Sequence, residues 1–508
     1  MSLYVHELCF KDAINEKLIM KDKVCVSLFA ETLYELKQKL DTIRSKIIEL
    51  RLDYLESFSI RSLKEFLKEL DKYTDKQIIL TYRPKHQGGK KDLDRDERLN
   101  FWRNLTSEIK SSNLLIDLEF DLLPEAAQIA HRKIISFHCF SDNPSSLEQV
   151  YRRLSTHANI VKLAVFVDDA VDALEVFKLL EFAEKEERQL ISIAMGEAGK
   201  WTRILAPAYG AYLTFASLEK ELETAPGQLS LAEALDLYRI NQLTKKTSIY
   251  GLVAGETSYS ISPQIHNKFF IERRLDAVFI PFQVRDLDRF MKKMILEEEK
   301  NIDLNFKGFA VTNPHKESII NYLDEIDDTV RVIKAVNTIK IQSGKLKGYN
   351  TDEKGFIEPL SDLYGDLKDA RVAVIGSGGA ARACIFALKK HGARVTIFAR
   401  NLQKAKALAD EFQVSFRRLP NQTDINAYTD FDVLVNATPV GTKGLSENES
   451  IATADQLRHL HLVYDLVYNP LETKLMKEAK IVDIPRLGGL AMLISQAKEQ
   501  QRIWLEGV

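Results

Sequence analysis

The sequence predicts an α/β protein, with an N-terminal (β/α)8 barrel followed by a two-domain α/β half that contains a Rossmann-type domain. Three observations support this fold class. Eight short apolar, β-branched runs alternate with amphipathic stretches of helical length between residues 23 and 216. The turn-rich segment TAPGQ (224–228) then ends this series. Further on, the strand-like segment ARVAVIG (370–376) leads into a glycine-rich helix start.

The eight runs have the composition of buried parallel strands. They are VCVSLF (24–29), KIIELRL (46–52), QIILTY (77–82), LLIDLEF (114–120), KIISFHCF (133–140), NIVKLAVF (159–166), LISIAM (190–195) and AYLTFA (211–216). Strands that alternate with helices form right-handed βαβ units and a parallel sheet. Their number favours a closed barrel over the alternative, an open doubly wound sheet.

The domain boundaries are predicted from turn-rich segments that separate the strand and helix patterns. The barrel takes residues 1–230, of which residues 1–22 have no assigned role and are compatible with a helical extension, and a helical linker takes residues 231–247. Residues 248–352 form the first domain of the second half, which a C-terminal helix at 489–508 completes. Residues 353–488 form the Rossmann-type domain.

Composition narrows the class of protein. The chain has 508 residues, and its 45% hydrophobic and 28% charged content excludes disorder, collagen and coiled coil. A net charge of −2 argues against a nucleic-acid partner. The four cysteines are scattered, which indicates reduced thiols and no metal site. The start of the chain lacks a signal peptide, and no apolar run reaches the ~20 residues of a membrane span, so we expect a cytoplasmic protein without a membrane partner.

Lys162 is the most informative residue of the predicted barrel. It is in phase with Ile160 and Ala164, so its side chain should point into the barrel. Because an unpaired buried ammonium is costly, Lys162 is either ion-paired with Glu49 or Glu119, or a neutral amine that can form a Schiff base with a carbonyl substrate.

Other polar side chains lie near the carboxyl ends of the predicted strands, where barrel enzymes carry their chemistry. His138, one strand before Lys162, is either a satisfied core histidine or a general acid/base. Arg51, Arg83 and Arg203 are suited to hold the carboxylate and hydroxyls of an anionic substrate, although each could form a surface ion pair.

Residues 23–230 resemble type I 3-dehydroquinate dehydratase. The matching segments are ELRLD (49–53), TYRP (81–84), DLEF (117–120), His138, VKLA (161–164), WTRIL (201–205) and TAPGQ (224–228). The resemblance implies that Lys162 forms an imine with 3-dehydroquinate and that His138 moves the protons as water leaves, giving 3-dehydroshikimate. It implies substrate contacts at Glu49, Arg51, Arg83, Arg203, Thr224 and Gln228. Gln87 replaces a glutamate that usually orients the histidine, so we expect weaker turnover with the same substrate.

In the second half, isolated polar motifs are weak signals. Ser260 and Ser262 before a proline are typical of a turn, and Lys316 with Asp352 is typical of a surface ion pair. The glycine loop IGSGGAARA (375–383) is more specific, because it fits the G-x-G-x-x-G/A fingerprint of a dinucleotide-binding turn. Arg400, at the end of the next predicted strand, favours the 2′-phosphate of NADP over NAD.

Residues 248–508 resemble shikimate dehydrogenase, a two-domain α/β dehydrogenase with a Rossmann-type NADP-binding domain. Further matching segments are VLVNATPVGT (433–442), YDLVYNP (464–470) and GLAMLISQA (489–497). The resemblance implies a catalytic pair, Lys316 and Asp352, and hydride transfer from NADPH to 3-dehydroshikimate. It implies substrate contacts at Ser260, Ser262, Thr312, Asn337, Tyr468 and Gln496, and cofactor contacts at Gly376, Ser377, Gly378, Gly379, Ala380, Arg400 and Gly489.

The two resemblances together imply consecutive reactions of the shikimate pathway in one chain. Two alternatives remain open. One is a quinate/shikimate dehydrogenase whose dehydratase half is weak or inactive. The other is a non-catalytic metabolite sensor, which would bind ligands without turnover.

Overall fold

The computed structural model describes residues 22–107, 113–141, 146–296 and 302–506. These residues form three sheets, one in the first half of the chain and two in the second. The helical extension expected for residues 1–22 lies almost wholly outside the described residues. Among the described residues, no helix combines the length and the apolar character that crossing a bilayer requires.

The first sheet forms the predicted barrel. Its strands are β1 (Val24–Leu28), β2 (Ile47–Arg51), β3 (Gln77–Thr81), β4 (Leu114–Glu119), β5 (Lys133–Cys139), β6 (Ile160–Phe166), β7 (Gln189–Met195) and β8 (Thr214–Ser217). All neighbours are parallel in the order 7-6-5-4-3-2-1-8, and the short β9 (Leu229–Ser230) extends β8. The amide of Tyr212 donates to the Leu190 carbonyl at 2.8 Å, which joins β7 to the segment before β8. The predicted fold class is confirmed.

Helices surround the barrel strands at every connection but one. They are α1 (Leu33–Thr42), α2 (Ile60–Glu69), α3 (Arg95–Thr106), α4 (Leu147–Ser155), α5 (Ala173–Lys185) and α6 (Lys200–Leu205). After β4 the chain makes two 3₁₀ turns, Phe120–Leu122 and Glu125–Gln128. Side chains of Thr32, Ser59 and Asp94 accept hydrogen bonds from backbone amides in the first turns of α1, α2 and α3, so the sequence itself fixes where these helices begin.

The segment predicted as a helical linker is helical only in short turns. A π-type turn covers Glu233–Leu237, and a 3₁₀ turn covers Ile240–Gln242. Between them Arg239 has a left-handed φ of 51°, which ends the first turn. Its guanidinium donates to the Ala277 carbonyl at 2.7 Å, so this segment is fastened to the second half.

The second half contains two sheets. One has β10 (Ser248–Ala254), β11 (Ala277–Gln283), β12 (Phe306–Val311), β13 (Glu325–Ile326), β14 (Thr338–Gln342) and β15 (Lys345–Tyr349), in the order 11-10-12-14-15-13. The other has β16 (Arg371–Ile375), β17 (Arg394–Ala399), β18 (Ser415–Arg418), β19 (Val433–Asn436), β20 (Leu462–Asp465) and β21 (Arg486–Gly488). Its parallel order 18-17-16-19-20-21 is the 3-2-1-4-5-6 order of a Rossmann fold.

Nine helices cover these sheets in the part of the chain that the structure describes. They are α7 (Ser262–Glu272), α8 (Leu287–Phe290), α9 (Asp328–Ile333), α10 (Asp352–Tyr364), α11 (Gly379–Lys390), α12 (Leu402–Phe412), α13 (Ala454–Leu457), α14 (Lys474–Ile481) and α15 (Gly489–Leu505). The last helix returns to the first of the two sheets, where the Trp504 indole donates to the Ile339 carbonyl at 3.0 Å. The domain boundaries themselves stay predictions.

The barrel and the second half share a packed interface. Asp169, between β6 and α5, accepts hydrogen bonds from the backbone amides of Arg285 and Asp286 at 2.7 and 3.1 Å. The buried Trp201 on α6 packs its ring against Phe282 on β11, with 6.0 Å between centroids. The loops that follow β6 and β7 at the carboxyl end of the barrel therefore take part in this interface.

Candidate active sites

The barrel opens into a cavity of about 430 Å³ at the carboxyl ends of its strands. All eight residues predicted for the first site line it: Glu49, Arg51, Arg83, His138, Lys162, Arg203, Thr224 and Gln228. Ionisable groups from five different strands, loops and helices therefore converge on one cavity.

Lys162 projects from the inner face of β6, as its phase with Ile160 and Ala164 predicted. The side chain is 5% exposed, and its Nζ lies 3.1 Å from Asp117 Oδ2 and 3.9 Å from the centre of the Phe215 ring. The expected pairing with Glu49 or Glu119 is wrong, because Asp117 on β4 is the partner. Burial lowers the pKa of Lys162 and the Arg83 charge lowers it further, while Asp117 opposes both.

Asp117 connects the lysine to a second cation. Its Oδ2 also accepts from Arg83 Nη2 at 2.6 Å, and the carboxylate is fully buried. Burial alone would raise the pKa of Asp117, but Arg83 and Lys162 hold it below the ordinary value, so the carboxylate is charged. The sequence marks Asp117 only as a polar strand residue, and its contact with Lys162 depends on the curvature of the barrel.

His138 lies beside this network on β5. Its Nε2 is 2.7 Å from Arg83 Nη1, and since a guanidinium can only donate, Nε2 is the acceptor and the ring proton is on Nδ1. Burial, together with the charges of Arg83 and Lys162, holds the pKa of His138 well below its ordinary value. The Gln87 amide oxygen accepts from the backbone amide of His138 at 3.1 Å rather than contacting the ring. Gln87 thus positions the strand, and Arg83 orients the imidazole.

The predicted substrate-binding residues are held in place by hydrogen bonds. Glu49 accepts from the hydroxyls of Ser27 and Thr81 at 2.6 and 2.8 Å. Arg51 makes two bonds to Asp53, at 2.9 and 2.8 Å. Burying a charged group costs free energy unless partners compensate it, so these contacts stabilise the charged forms in the cavity.

A loop at residues 224–228 covers part of the cavity. The amide and hydroxyl of Thr224 donate to Gln228 Oε1 at 2.7 and 3.1 Å, which closes the loop on itself. Arg203 Nη2 donates to the Pro226 carbonyl at 3.1 Å from below. Burial lowers the pKa of Arg203 to about 10, with partial compensation from Glu223. Its Nε is buried and has no hydrogen-bond partner among the described residues.

A second cavity, of about 1010 Å³, lies between the two domains of the second half. Ten of the predicted residues line it: Ser260, Ser262, Thr312, Lys316, Asn337, Asp352, Ala380, Tyr468, Gly489 and Gln496. These residues come from the segments after β10, β12 and β20, the residue before β14, the starts of α10 and α11, and α15, so both domains contribute to one site.

Lys316 and Asp352 form a close ion pair in this cavity, with 2.6 Å between Nζ and Oδ2. The Asn337 amide donates to the other oxygen of Asp352 at 2.8 Å, and Asn337 is itself fixed because its Oδ1 accepts from the Thr351 amide. The aspartate is therefore oriented from one side by Asn337, and the ammonium can present its remaining protons to a ligand.

The glycine loop between β16 and α11 has room for a phosphate. Gly376 has a φ of 121°, which L residues rarely adopt, and a Cβ there would lie 3.0 Å from the Ala437 carbonyl oxygen. A Cβ on Gly378 or Gly379 would meet no described atom within 4 Å. Helix α11 begins at Gly379 without a side-chain cap, so its first amides are free to bind an anion. The loop residues Gly376, Ser377, Gly378, Gly379 and Ala380 therefore fit a pyrophosphate.

Arg400 lies directly after β17, next to this loop along the sheet edge, and is exposed. It follows the strand that neighbours β16, which is where a Rossmann fold contacts the ribose of a dinucleotide. Its position is compatible with the predicted 2′-phosphate contact, and its role stays a prediction.

Several contacts around the second site are not predicted by the sequence. The Thr257 hydroxyl donates to Glu197 of the barrel at 3.0 Å, across the interface between the halves. His315, which the sequence left without a role, is buried and bonds the Val284 carbonyl at 2.7 Å, directly before Lys316. These pairs are 60 and 31 positions apart, and no local pattern connects them.

A barrel with a buried lysine and histidine in one cavity, followed by a Rossmann-type half with a lysine–aspartate pair, defines an enzyme with two active sites. Comparison with known families agrees with this class. Residues 24–245 match the model of type I 3-dehydroquinase, residues 252–339 that of the shikimate dehydrogenase substrate-binding domain, and residues 359–485 that of shikimate/quinate 5-dehydrogenase.

Known proteins match either the whole chain or its second half. The bifunctional 3-dehydroquinate dehydratase/shikimate dehydrogenase of Arabidopsis thaliana, named as chloroplastic, is 32% identical over 95% of this chain and 81% of its own length. The NADP(+) shikimate dehydrogenase of Methanocaldococcus jannaschii is 39% identical over 52% of this chain and 93% of its own. The crystal structure of Thermus thermophilus shikimate 5-dehydrogenase in complex with NADP(H) and shikimate shares 31% identity, covers 51% of this chain and 93% of its own, and has a TM-score of 0.45.

The chain belongs to the family of bifunctional 3-dehydroquinate dehydratase/shikimate dehydrogenases. The family predicted from sequence, with its lyase and oxidoreductase halves, is confirmed.

Proposed function

We propose that the barrel dehydrates 3-dehydroquinate to 3-dehydroshikimate through an imine on Lys162, with His138 as general acid/base. The observation that supports this proposal is the convergence of Lys162 and His138 on one buried cavity, linked through Arg83. Burial and the Arg83 charge favour the neutral amine, which is the form that attacks a carbonyl.

The chemistry follows from these protonation states. Lys162 adds to the ketone and expels water, and the protonated imine is a stronger electron sink than the ketone. His138, held neutral, removes the α-proton with Nε2, which Arg83 frees when it turns to the substrate, and the imidazolium then gives a proton to the departing hydroxyl, which leaves as water. Hydrolysis of the imine releases the conjugated product and restores the amine. Arg51, Arg83 and Arg203 hold the carboxylate and hydroxyls of the substrate.

Borohydride trapping tests the imine directly. Protein treated with 3-dehydroquinate and borohydride should gain one reduced adduct, which peptide mass spectrometry locates on Lys162. The variant Lys162→Ala should gain none, while Lys72→Ala, which changes an exposed lysine, should trap as the parent does. An adduct on another residue, or none on Lys162 in active protein, contradicts the imine mechanism.

The second half reduces 3-dehydroshikimate to shikimate with NADPH as the hydride donor. Lys316, held by Asp352, donates a proton to the oxygen that becomes an alkoxide, or stabilises its developing charge. Ser260, Ser262, Thr312, Asn337, Tyr468 and Gln496 bind the substrate. NADP would be held by the amides of the glycine loop and by Gly489, with Arg400 on the 2′-phosphate.

Comparison of the two nicotinamide cofactors tests the Arg400 assignment. Arg400→Gln should raise KM for NADP by about tenfold or more, as expected for the loss of one charged hydrogen bond, with little change for NAD. Arg394→Gln removes an exposed arginine from the other end of β17 and serves as the control. Equal losses with NADP and NAD would contradict the assignment. Turnover of shikimate against quinate in the same assays tests the quinate dehydrogenase alternative.

A further inference from the structure

The loop after β7 contacts both active sites at once. This loop, Gly196–Lys200, packs on one side against the loop 224–228 that covers the barrel cavity. On its other side Glu197 accepts the hydroxyl proton of Thr257, which belongs to the substrate-binding segment of the second half. One short segment of the barrel is therefore held between the ligand-binding loops of the two sites.

The loop Gly196–Lys200 and the loop 224–228 are in direct backbone contact. The Gly196 amide donates to the Pro226 carbonyl at 3.1 Å. A Cβ on Gly227 would lie 2.3 Å from the Gly196 carbonyl oxygen and 3.3 Å from the Glu197 amide, so the two backbones touch. Since backbone atoms at van der Waals contact cannot approach further, a displacement of residues 224–228 towards Gly196 would push the backbone of Gly196 and Glu197.

The contact with the second half is equally direct. Thr257 is buried, and its carbonyl accepts from the Ser260 amide at 3.1 Å. The Ser260 hydroxyl in turn accepts from the Ser262 amide at 3.2 Å. The position of Thr257 thus determines where these two serines stand in the second cavity.

The rest of the interface keeps the geometry rigid. Asp169 anchors residues 285 and 286 through two backbone amides, and Trp201, next to the Gly196–Lys200 loop, is locked against Phe282. Glu197 is also paired with Lys200 at 2.7 Å, which fixes its rotamer. A shift of Glu197 is therefore transmitted to Thr257 and not absorbed by relative motion of the halves.

We propose that Glu197 is a positioning residue for the second site, so that a ligand bound in the barrel tightens substrate binding in the dehydrogenase half. The proposal rests on the proposed function, because Thr224 and Gln228, at the two ends of the covering loop, are substrate contacts there. Ligand contacts at both ends pull the loop onto the cavity, and Gly227 presses Glu197 and Thr257 into the arrangement that binds substrate. By linkage, a ligand in the second site tightens binding in the barrel by the same factor.

The test uses the full-length chain with its barrel permanently occupied. Protein is treated with 3-dehydroquinate and borohydride, the Lys162 adduct is verified by mass spectrometry, and shikimate oxidation is measured with saturating NADP. KM for shikimate should fall at least about fivefold relative to protein treated with borohydride alone, in the range of ordinary coupling between sites, while kcat changes little. An adduct with unchanged KM overturns the proposal.

Variants at the contact separate positioning from general damage. Thr257→Val keeps the shape of the side chain, so the fold is preserved. In protein with an empty barrel, this variant should raise KM for shikimate. In protein that carries the Lys162 adduct, it should abolish the fall in KM that the adduct causes. Thr257→Ser should restore both. Arg289→Gln, which removes an exposed ion pair to Asp172 elsewhere in the interface, should leave both unchanged.

The outcomes distinguish this proposal from the one on which it rests. If no adduct forms on Lys162, the imine mechanism is contradicted. The positioning role of Glu197 is then tested on protein whose barrel is empty. There, an unchanged KM in Thr257→Val overturns the positioning role of Glu197, and a raised KM that Thr257→Ser restores supports it.

Discussion

One carboxylate controls the charge state of the barrel site. Asp117 contacts Arg83 and Lys162 through the same oxygen, at 2.6 and 3.1 Å, and all three side chains are buried. Two cations this close repel each other in a medium of low dielectric constant unless an anion lies between them. Asp117 thus stabilises the charged form of Arg83, and it raises the pKa of Lys162 against the lowering that burial causes.

The first prediction concerns this carboxylate. Asp117→Asn should lower the free energy of unfolding of the barrel by about 3 kcal/mol, because it removes the carboxylate that Arg83 and Lys162 contact most closely and leaves Arg83 only the more distant Glu119, at 3.6 Å. Urea denaturation followed by the barrel tryptophans measures the loss. Glu148→Gln, which breaks an exposed pair with Arg152 on α4, should cost less than about 1 kcal/mol. A loss for Asp117→Asn as small as that of the control would contradict the account.

The second prediction concerns pH. A general base works in its deprotonated form, and His138 has a pKa well below the ordinary value because of burial and the charges of Arg83 and Lys162. Protonation of His138 should therefore not lower kcat/KM as pH falls through the ordinary histidine range. The pH profile of kcat/KM for 3-dehydroquinate checks this. An acid limb in the ordinary histidine range, about 6.5, that NMR titration assigns to the His138 ring rather than to Lys162 would contradict this.

For single strands and helices, the periodicity of the sequence predicts much of the site. The alternation along β6 directs Lys162 inward with Ile160 and Ala164, and the glycine loop follows β16 as its fingerprint requires. The periodicity of apolar residues cannot predict which residue lies across the barrel. Lys162 contacts Asp117, two strands away, and not Glu49 or Glu119. That partner depends on strand tilt and stagger, which only the closed barrel defines.

Two local expectations differ from the structure because long-range contacts override the local sequence preference. The stretch 231–241 has a helical pattern, yet Arg239 takes a left-handed conformation to reach the Ala277 carbonyl. Gln87 was expected to hydrogen-bond His138 as an orienting residue, but its amide oxygen accepts from the backbone amide of His138 while Arg83 contacts the ring. In both cases a long-range hydrogen bond decides the outcome, and it involves residues too far apart in sequence to be recognised.

The third prediction concerns the start of α11. Gly378 has ordinary backbone angles and open space around a Cβ, so Gly378→Ala should fold with unchanged stability. The methyl group would instead occupy space next to the amides that receive the pyrophosphate. KM for NADP should rise by about tenfold or more, with KM for shikimate nearly unchanged, in steady-state oxidation assays. An unchanged KM for NADP would show that the cofactor does not approach this turn.

At the scale of the molecule, the two cavities belong to one packed unit. The barrel directs its β6 and β7 loops at the second half, and Asp169, Trp201 and Glu197 make the contacts. Each half nevertheless keeps its own ionisable groups, and no described side chain lines both cavities. The chemistry of the halves is therefore separable even though their loops touch.

The fourth prediction follows from this separation. Lys162→Ala should abolish dehydration of 3-dehydroquinate and leave shikimate oxidation at the level of the parent with an empty barrel. Lys316→Ala should do the reverse. Parallel assays of both reactions on both variants, with thermal melts as a check on folding, measure this. Loss of both activities in a folded variant would mean that the halves share catalytic groups.

The measurement that tests the central claim most directly is a single assay of both reactions in order. Purified protein is mixed with 3-dehydroquinate while ultraviolet absorbance reports the conjugated product, and NADPH is then added and its oxidation followed. The account predicts that enone appears first and that NADPH is consumed after it, whereas Lys162→Ala consumes NADPH only when 3-dehydroshikimate is supplied. A parent protein that forms no enone, or forms it and leaves NADPH untouched, would contradict the assignment of two consecutive reactions to this chain.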